Sequence, residues 1–194
     1  IIFVDDESND GTIEKIDNLI KQHDNIKLIV NENRQGLGFA LLLGMSNSNG
    51  NYIIFLDCDV STNFNDLSNL IENRDKDVML IGSRYLKESN IIGVKLYKSF
   101  LSKILNYFVS IIFNLKIIDV SHSFRIFPNY KKKLNIKTFT HPGFFWELSI
   151  LFNKSGVLKE IPVTFVERSE GITKNRIIKM VNSIFDFILN IYKK

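Results

Sequence analysis

Tyr52-Ile53-Ile54-Phe55-Leu56-Asp57-Cys58-Asp59 is an apolar run that closes on two carboxylates one residue apart. A short continuous apolar run of this kind reads as a strand buried on both faces, as in parallel sheets. Alternate residues of an extended chain point the same way, so Asp57 and Asp59 can converge on one divalent cation as the chain leaves the sheet. A hard ion such as Mg²⁺ or Mn²⁺ takes a few carboxylates and leaves its other positions to phosphate oxygens and water. Taken alone, the same pattern also fits a polar turn after a core strand.

The chain opens with a second example. Ile1-Ile2-Phe3-Val4-Asp5-Asp6 is an apolar run ending in paired carboxylates, followed by Ser8, Asn9, Asp10, Gly11 and Thr12. Those side chains suit a turn and helix start, and Ile13, Ile16, Leu19 and Ile20 then recur at helical spacing. Asp10 or Thr12 can be read as a cap for this helix. Further on, the patterns predict strands over 27–31, 52–57, 78–82, 121–127 and 158–166, and helices over 11–22, 37–47, 64–73, 95–115, 144–154 and 175–192. Alternation of strand and helix with short connections predicts an α/β fold with a mainly parallel sheet, helices on both faces, and a ligand site at the carboxyl ends of the strands. Asp5, Asp6, Asp57, Asp59 and Arg84 all fall at such ends.

The chain has 194 residues, 45% of them hydrophobic, and no Pro-, Gly- or Ser-rich linker, which predicts a single domain over 1–194. Its first residue is not Met and it opens on a strand, so at least one strand upstream is expected to be missing. The single cysteine, Cys58, excludes an internal disulfide and suits a reducing compartment. A net charge of +4 and a pI near 9.0 favour anionic partners such as phosphates or acidic lipid surfaces; nothing points to nucleic acid. The longest apolar stretch, Ile104 to Ile118, is interrupted by Asn106, Ser110, Asn114 and Lys116 and is not a membrane span. It belongs to a helix with Lys95, Lys98 and Lys103 at its start. That helix and the one over 175–192 suit an interfacial position on a membrane, although core packing explains either stripe equally well.

Val4-Asp5-Asp6-Glu7-Ser8-Asn9-Asp10-Gly11-Thr12, Asn33-Arg34-Gln35-Gly36-Leu37-Gly38, Asp57-Cys58-Asp59 and Gly82-Ser83-Arg84-Tyr85 occur in that order. Asp119 with Ser121-His122-Ser123-Phe124-Arg125, then Glu147, then Ile161-Pro162-Val163-Thr164-Phe165 with Arg168-Ser169-Glu170-Gly171-Ile172-Thr173-Lys174 follow. Together they resemble family 2 glycosyltransferases of the GT-A (Rossmann-like) fold, in particular the polyprenol-phosphate sugar transferases typified by dolichyl-phosphate mannose synthase.

The resemblance implies metal-dependent, inverting transfer of mannose or glucose from a nucleotide sugar, GDP-mannose or UDP-glucose, to a polyprenyl phosphate. It implies Mg²⁺ or Mn²⁺ on Asp57, Asp59 and Ser61, and catalytic roles for Asp57, Asp59 and Arg84. Donor contacts fall to Asp5, Asp6, Asp10, Gly36, Asp57 and Glu147. Acceptor-phosphate contacts fall to Arg84, Lys98, Ser102, Arg125, Arg168 and Lys174. It also implies a cytoplasmic protein held peripherally on the cytoplasmic face of a membrane. The chain departs from the family's pattern at Ser61, a weaker ligand than the Gln also found there, at Ser123, where Gly is usual, and at Thr173, where Ser is usual. His122 and His141 fall on no catalytic position of the family. A saccharide acceptor and an inactive nucleotide-binding relic stay open as alternatives, whereas a processive synthase would show a Gln-x-x-Arg-Trp motif that this chain lacks.

Overall fold

The computed structural model describes residues 1–167 other than 33, 60 and 130–134, and beyond 167 only Ile184 and Phe187. Two compact units follow one another along the chain, residues 1–50 and residues 51–194.

In the first unit the opening apolar run forms β1 (Ile2–Asp5), followed by α1 (Thr12–Ile20), β2 (Lys27–Val30) and α2 (Leu37–Ser46). β1 and β2 pair in parallel, with Ile2 opposite Lys27 and Asp5 opposite Val30. The amphipathic spacing of α1 buries Ile16. Helix α2 starts from Gly36, whose φ of 101° lies where a side chain would be strained. Its carbonyl accepts the Phe39 and Ala40 N–H groups.

The second unit contains β3 (Tyr52–Phe55), α3 (Phe64–Glu72), β4 (Val78–Ser83), β5 (Asn90–Ile92), α4 (Leu96–Ile112), β6 (Arg125–Pro128), α5 (Gly143–Phe152), β7 (Val157–Pro162) and β8 (Thr164–Val166). Four strands form one sheet in the order β3-β6-β4-β7, and β5 pairs with β8 in a small parallel ribbon. Every residue of β4 is buried, as its unbroken apolar run demands. Leu70 of α3 packs with Val78, Leu80, Phe124, Ile126 and Val163 on one face of the sheet. On the other, Phe144 and Phe145 of α5 meet Phe55 at ring distances of 6.1 and 6.3 Å, and Phe152 meets Phe127 at 6.4 Å. Such offset and edge contacts contribute about 0.5–1.5 kcal/mol each beyond area burial. Helices therefore cover both faces, as expected.

Two expectations are corrected. The strand expected over 121–127 begins only at Arg125 and runs antiparallel to both β3 and β4, with Arg125 opposite Phe55 and Ile81. Both of those residues lie toward the carboxyl ends of their strands, so α4 and the loop after it deliver the chain to the carboxyl edge and the strand must run back. The strand expected over 158–166 is split at Val163, whose N–H still bonds Ser83 O at the end of β4 while its carbonyl accepts the Asn90 N–H of β5, so the chain changes partner strand there. β5, too short to show a period, was not anticipated. The helix expected over 175–192 lies outside the described residues except for Ile184 and Phe187.

Helix α4 is inverted in polarity. Asn106 and Ser110 are its buried residues, while Leu96, Tyr97, Phe100, Phe108, Ile111 and Ile112 are exposed, Leu96 at 88% and Ile112 at 68%. Core packing therefore does not account for this apolar stripe. No helix among the described residues is long and apolar enough to cross a membrane.

Gly82 lets two elements close on β4. A Cβ at this position would lie 2.7 Å from Phe124 Cδ1 and 2.8 Å from Val163 Cγ1. Gly82→Ala is expected to cost about 1–3 kcal/mol through overpacking. Urea unfolding reads this as a lowered midpoint at unchanged slope, and an unshifted midpoint would show that the two side chains have room to move.

Candidate active site

The reversal of β6 places the segment before it, Ile118 to Phe124, at the carboxyl edge where β3 and β4 end. Three anchors hold that segment. Glu160 of β7 accepts the N–H groups of Ile118 and Asp119 at 2.8 and 2.7 Å. Asn106 of α4 accepts the Ser121 N–H at 2.8 Å and donates to Ser121 Oγ at 2.9 Å. Arg125 donates to Val120 O at 3.0 Å and through Nε and Nη2 to His122 O.

Arg125 was expected among the ligands of the acceptor phosphate, and the structure corrects this. Its side chain is fully buried, its remaining Nη1 donates to Ser149 Oγ at 3.0 Å, and its guanidinium lies 4.8 Å from the Phe145 ring centre. Burial lowers it to about 9, against the pull of the Asp119 charge, so it is still cationic at neutral pH. Every nitrogen is committed to the protein's own interior.

Two charged contacts stand on the anchored segment. Asp119, completely buried, takes the Arg84 guanidinium in a two-pronged pair, Nε to Oδ2 and Nη2 to Oδ1 both at 2.8 Å, and accepts the Arg84 backbone N–H at 3.0 Å. Burial opposes both charges, but their attraction overrides it, leaving Asp119 below and Arg84 above its ordinary value. Arg84 Nη2 also reaches Ser121 Oγ at 3.1 Å. The second contact is Ser123 Oγ donating to Asp57 Oδ2 at 2.5 Å. Asp57 remains exposed at the end of β3, and Asp59 there accepts the Ser61 N–H at 3.1 Å. Partial burial raises the Asp57 carboxyl, the Ser123 hydrogen bond lowers it, the Asp59 charge raises it and the Arg84 charge lowers it. Asp59 and Arg84 thus both act on the Asp57 carboxylate, with opposite sign. Cys58, exposed between the two carboxylates, has its thiol pushed up by partial burial and then by both neighbouring charges.

Other expected site residues have local partners. Glu147 is buried in α5 and its Oε2 accepts the Lys137 and Thr138 N–H groups at 3.0 and 2.8 Å, which ties down the loop before the helix instead of leaving that oxygen to a donor sugar. Lys98 lies 3.6 Å from Glu167 and is partly exposed. The Ser102 carbonyl accepts Asn106 Nδ2 at 2.9 Å, and burial raises the Tyr85 phenol beside it, against the pull of the Arg84 charge and the Ser102 hydroxyl. In the first unit Asp5 Oδ1 accepts the Ser8 N–H and Asp6 Oδ1 accepts Asn31 Nδ2, each at 2.6 Å. Asp10 accepts the Thr12 N–H and hydroxyl at 3.1 and 2.6 Å, yet the N-cap of α1 is Gly11 and no side chain caps it, so the expectation that Asp10 or Thr12 caps this helix is corrected. Arg168 and Lys174 lie outside the described residues. Asn106 and Glu160 were not singled out for the site; a lone Asn among apolar helix residues was the available signal for the first, and an acidic residue in a strand for the second.

The chemistry of the strand-end donors fits a hard divalent cation. Asp57 and Asp59 supply carboxylate oxygens and the neighbouring Ser61 a hydroxyl, though Ser61 is buried at 5%. No cluster of three or more His, Cys, Asp or Glu side chains is found among the described residues, so water and substrate oxygens would have to complete the coordination.

The family model for glycosyl transferase family 2 matches residues 1–145. The chain belongs to this family, and it is a glycosyltransferase. It is 27% identical over 184 residues to dolichol-phosphate mannosyltransferase of Saccharomyces cerevisiae, covering 90% of this chain and 67% of that protein. It is 26% identical over 183 residues to polyprenol monophosphomannose synthase of Mycolicibacterium smegmatis, covering 90% of this chain and 69% of that one. Among solved structures, glucosyl-3-phosphoglycerate synthase of Mycobacterium tuberculosis in complex with uridine diphosphate matches 96% of this chain and 67% of its own at a TM-score of 0.65 and 11% identity. That likeness shows the fold, which is GT-A.

His122 is buried within the segment from Ile118 to Phe124. Its Nδ1 faces the Gly82 carbonyl, and burial, helped by the Arg84 charge, lowers it to about 4. Unfolding releases the imidazole to its ordinary value of 6.5. The unfolded chain therefore binds the extra proton between those values, and stability is lost as pH falls through that window. Between pH 7.5 and 5 the loss from this group is roughly 2 kcal/mol. Urea unfolding at the two pH values should show His122→Gln losing that much less than the wild type; equal losses would mean that the imidazole is already protonated when folded.

Proposed function

We propose that the protein transfers a hexose from a nucleotide sugar to a polyprenyl phosphate. The observation that carries this reading is the placing of Asp57 beside Asp59 and within electrostatic reach of Arg84 at the carboxyl edge of the sheet, in a chain similar along 90% of its length to two enzymes named for that type of product. GDP-mannose and UDP-glucose are the candidate donors, mannose being the sugar in both relatives' names.

A bound Mg²⁺ or Mn²⁺ on Asp57 and Asp59, with Ser61 beside them, would stabilise the charge that develops on the leaving diphosphate. Asp5, Asp6 and Gly36 remain the proposed donor contacts of the first unit. The acceptor phosphate is already ionised near neutral pH, so it can displace the diphosphate with inversion at the anomeric carbon and needs positioning more than a base. This agrees with His122, whose Nδ1 is committed to Gly82. Lys98 and Ser102 of α4 are proposed to hold the acceptor phosphate, with Arg168 and Lys174. Arg84 is proposed to contribute as an oriented donor, since Asp119 already balances its charge.

The acceptor's lipid tail gives the inverted polarity of α4 a use. An open cavity of about 340 Å³ lined by Phe100, Lys103, Ile104, Tyr107 and Ile118 lies along it. We place this face of α4 on a membrane surface, with Lys95, Lys98 and Lys103 toward anionic head groups, an arrangement that binds lipid through apolar area and charge together.

Incubating the protein with a panel of nucleotide sugars and a polyprenyl phosphate should yield one glycolipid, identified by mass. Asp57→Asn and excess chelator should each reduce it at least about a hundredfold, the scale of losing charge stabilisation in such a site. Product formed on a free saccharide and none on the lipid phosphate would move the acceptor to another class. Undiminished turnover in chelator would remove the metal from the mechanism.

Vesicle sedimentation checks the membrane face. Vesicles rich in anionic phospholipid should retain the protein more than neutral ones, and raised salt should weaken retention as screening shortens to about 8 Å at physiological ionic strength. Leu96→Ser with Phe100→Ser should lower retention on both. Unchanged retention in that variant would sink the assignment.

A further inference from the structure

We propose that Ser123 is a positioning residue for the carboxylate of Asp57 and so sets the affinity of the site for its divalent cation. This rests on the metal reading given above. Its basis is geometric. Ser123 stands between two residues that are both fastened to Gly82: the Gly82 carbonyl faces His122 Nδ1, and the Gly82 N–H donates to the Phe124 carbonyl at 2.9 Å. The absence of a side chain at Gly82 permits this closeness, because a Cβ would meet Phe124 at 2.7 Å. Arg125 secures the preceding turn through the Val120 and His122 carbonyls. The backbone of Ser123 is thus fixed from both sides, and its side chain, 8% exposed, has little room to turn away.

From that position its hydroxyl donates to Asp57 Oδ2 at 2.5 Å, the length of a strong hydrogen bond to a charged oxygen. Asp57 otherwise sits on the exposed chain that leaves β3, where a carboxylate can rotate about its side-chain torsions. One oxygen is held and the other, Oδ1, is turned free for a cation. A hydrogen-bonding partner behind a metal ligand fixes the ligand's orientation, and losing such a partner typically weakens metal affinity ten- to a hundredfold. Glycine, which the resemblance made the usual residue at this position, could not make the bond, so the dependence on a hydroxyl is a property of this chain.

The test uses the whole chain and Mn²⁺ alone, with binding read from water-proton relaxation or the loss of the free-ion electron-spin signal. Ser123→Ala and Ser123→Gly should weaken Mn²⁺ binding about ten- to a hundredfold, and Ser123→Thr should keep it within about threefold of the wild type. Urea unfolding of the same variants separates misfolding from an effect on the ion, because a merely structural role would lower the midpoint and leave the affinity of the folded protein unchanged. Equal Mn²⁺ affinity in Ser123→Ala and wild type, with Asp57→Asn weakened, would overturn the role of Ser123 and leave the metal reading intact. No Mn²⁺ binding by the wild type would overturn both.

Discussion

A strand that enters its sheet from the carboxyl edge is the constraint on which the site depends. Because β6 starts opposite Phe55 and Ile81, the residues before it must cross the edge where β3 and β4 release their polar ends. Had the strand run parallel, the segment from Ile118 to Phe124 would lie at the amino edge, far from Asp57 and Arg84. Direction also explains the segment's polar interior. A loop crossing a buried edge must find partners for its backbone groups, and Glu160, Asn106 and Arg125 supply them.

The pairing of Arg84 with Asp119 shows a cost accepted for placement. Removing two charges from water is expensive, and a buried pair is weak evidence of stability. Here it joins the end of β4 to the anchored segment, three hydrogen bonds converging on one carboxylate. Arg84 is thereby rigid and oriented, but it is no longer an uncompensated cation. Lys98, whose partner Glu167 is 3.6 Å away and partly exposed, is held only by a solvent-weakened ion pair.

Much of this was legible in the sequence. The strand-end carboxylates and the helices that flank the sheet follow from apolar runs and helical spacing, whereas the burial of His122 against the Gly82 carbonyl does not. Strand direction was not legible, because alternation of element types says nothing about which edge a long connection reaches. Nor was the fate of Arg125 and Glu147. A charged residue near a site motif reads as a ligand, yet both are buried beside backbone groups that need their hydrogen bonds. The ordered motifs carried the family where single residues could not, and they failed where a family position has been turned inward.

Cys58 gives the acidic pair a further property. A thiol becomes nucleophilic, or ligates a thiophilic ion, only as the thiolate, and the flanking carboxylates with partial burial keep the proton on sulfur. An exposed cysteine would ordinarily invite cadmium or zinc into such a cluster and peroxide onto the sulfur, the first step toward a sulfenic acid. A raised thiol is a poorer nucleophile and a poorer soft donor than an unperturbed one. The same two negative charges that would attract a cation therefore make the sulfur between them less reactive.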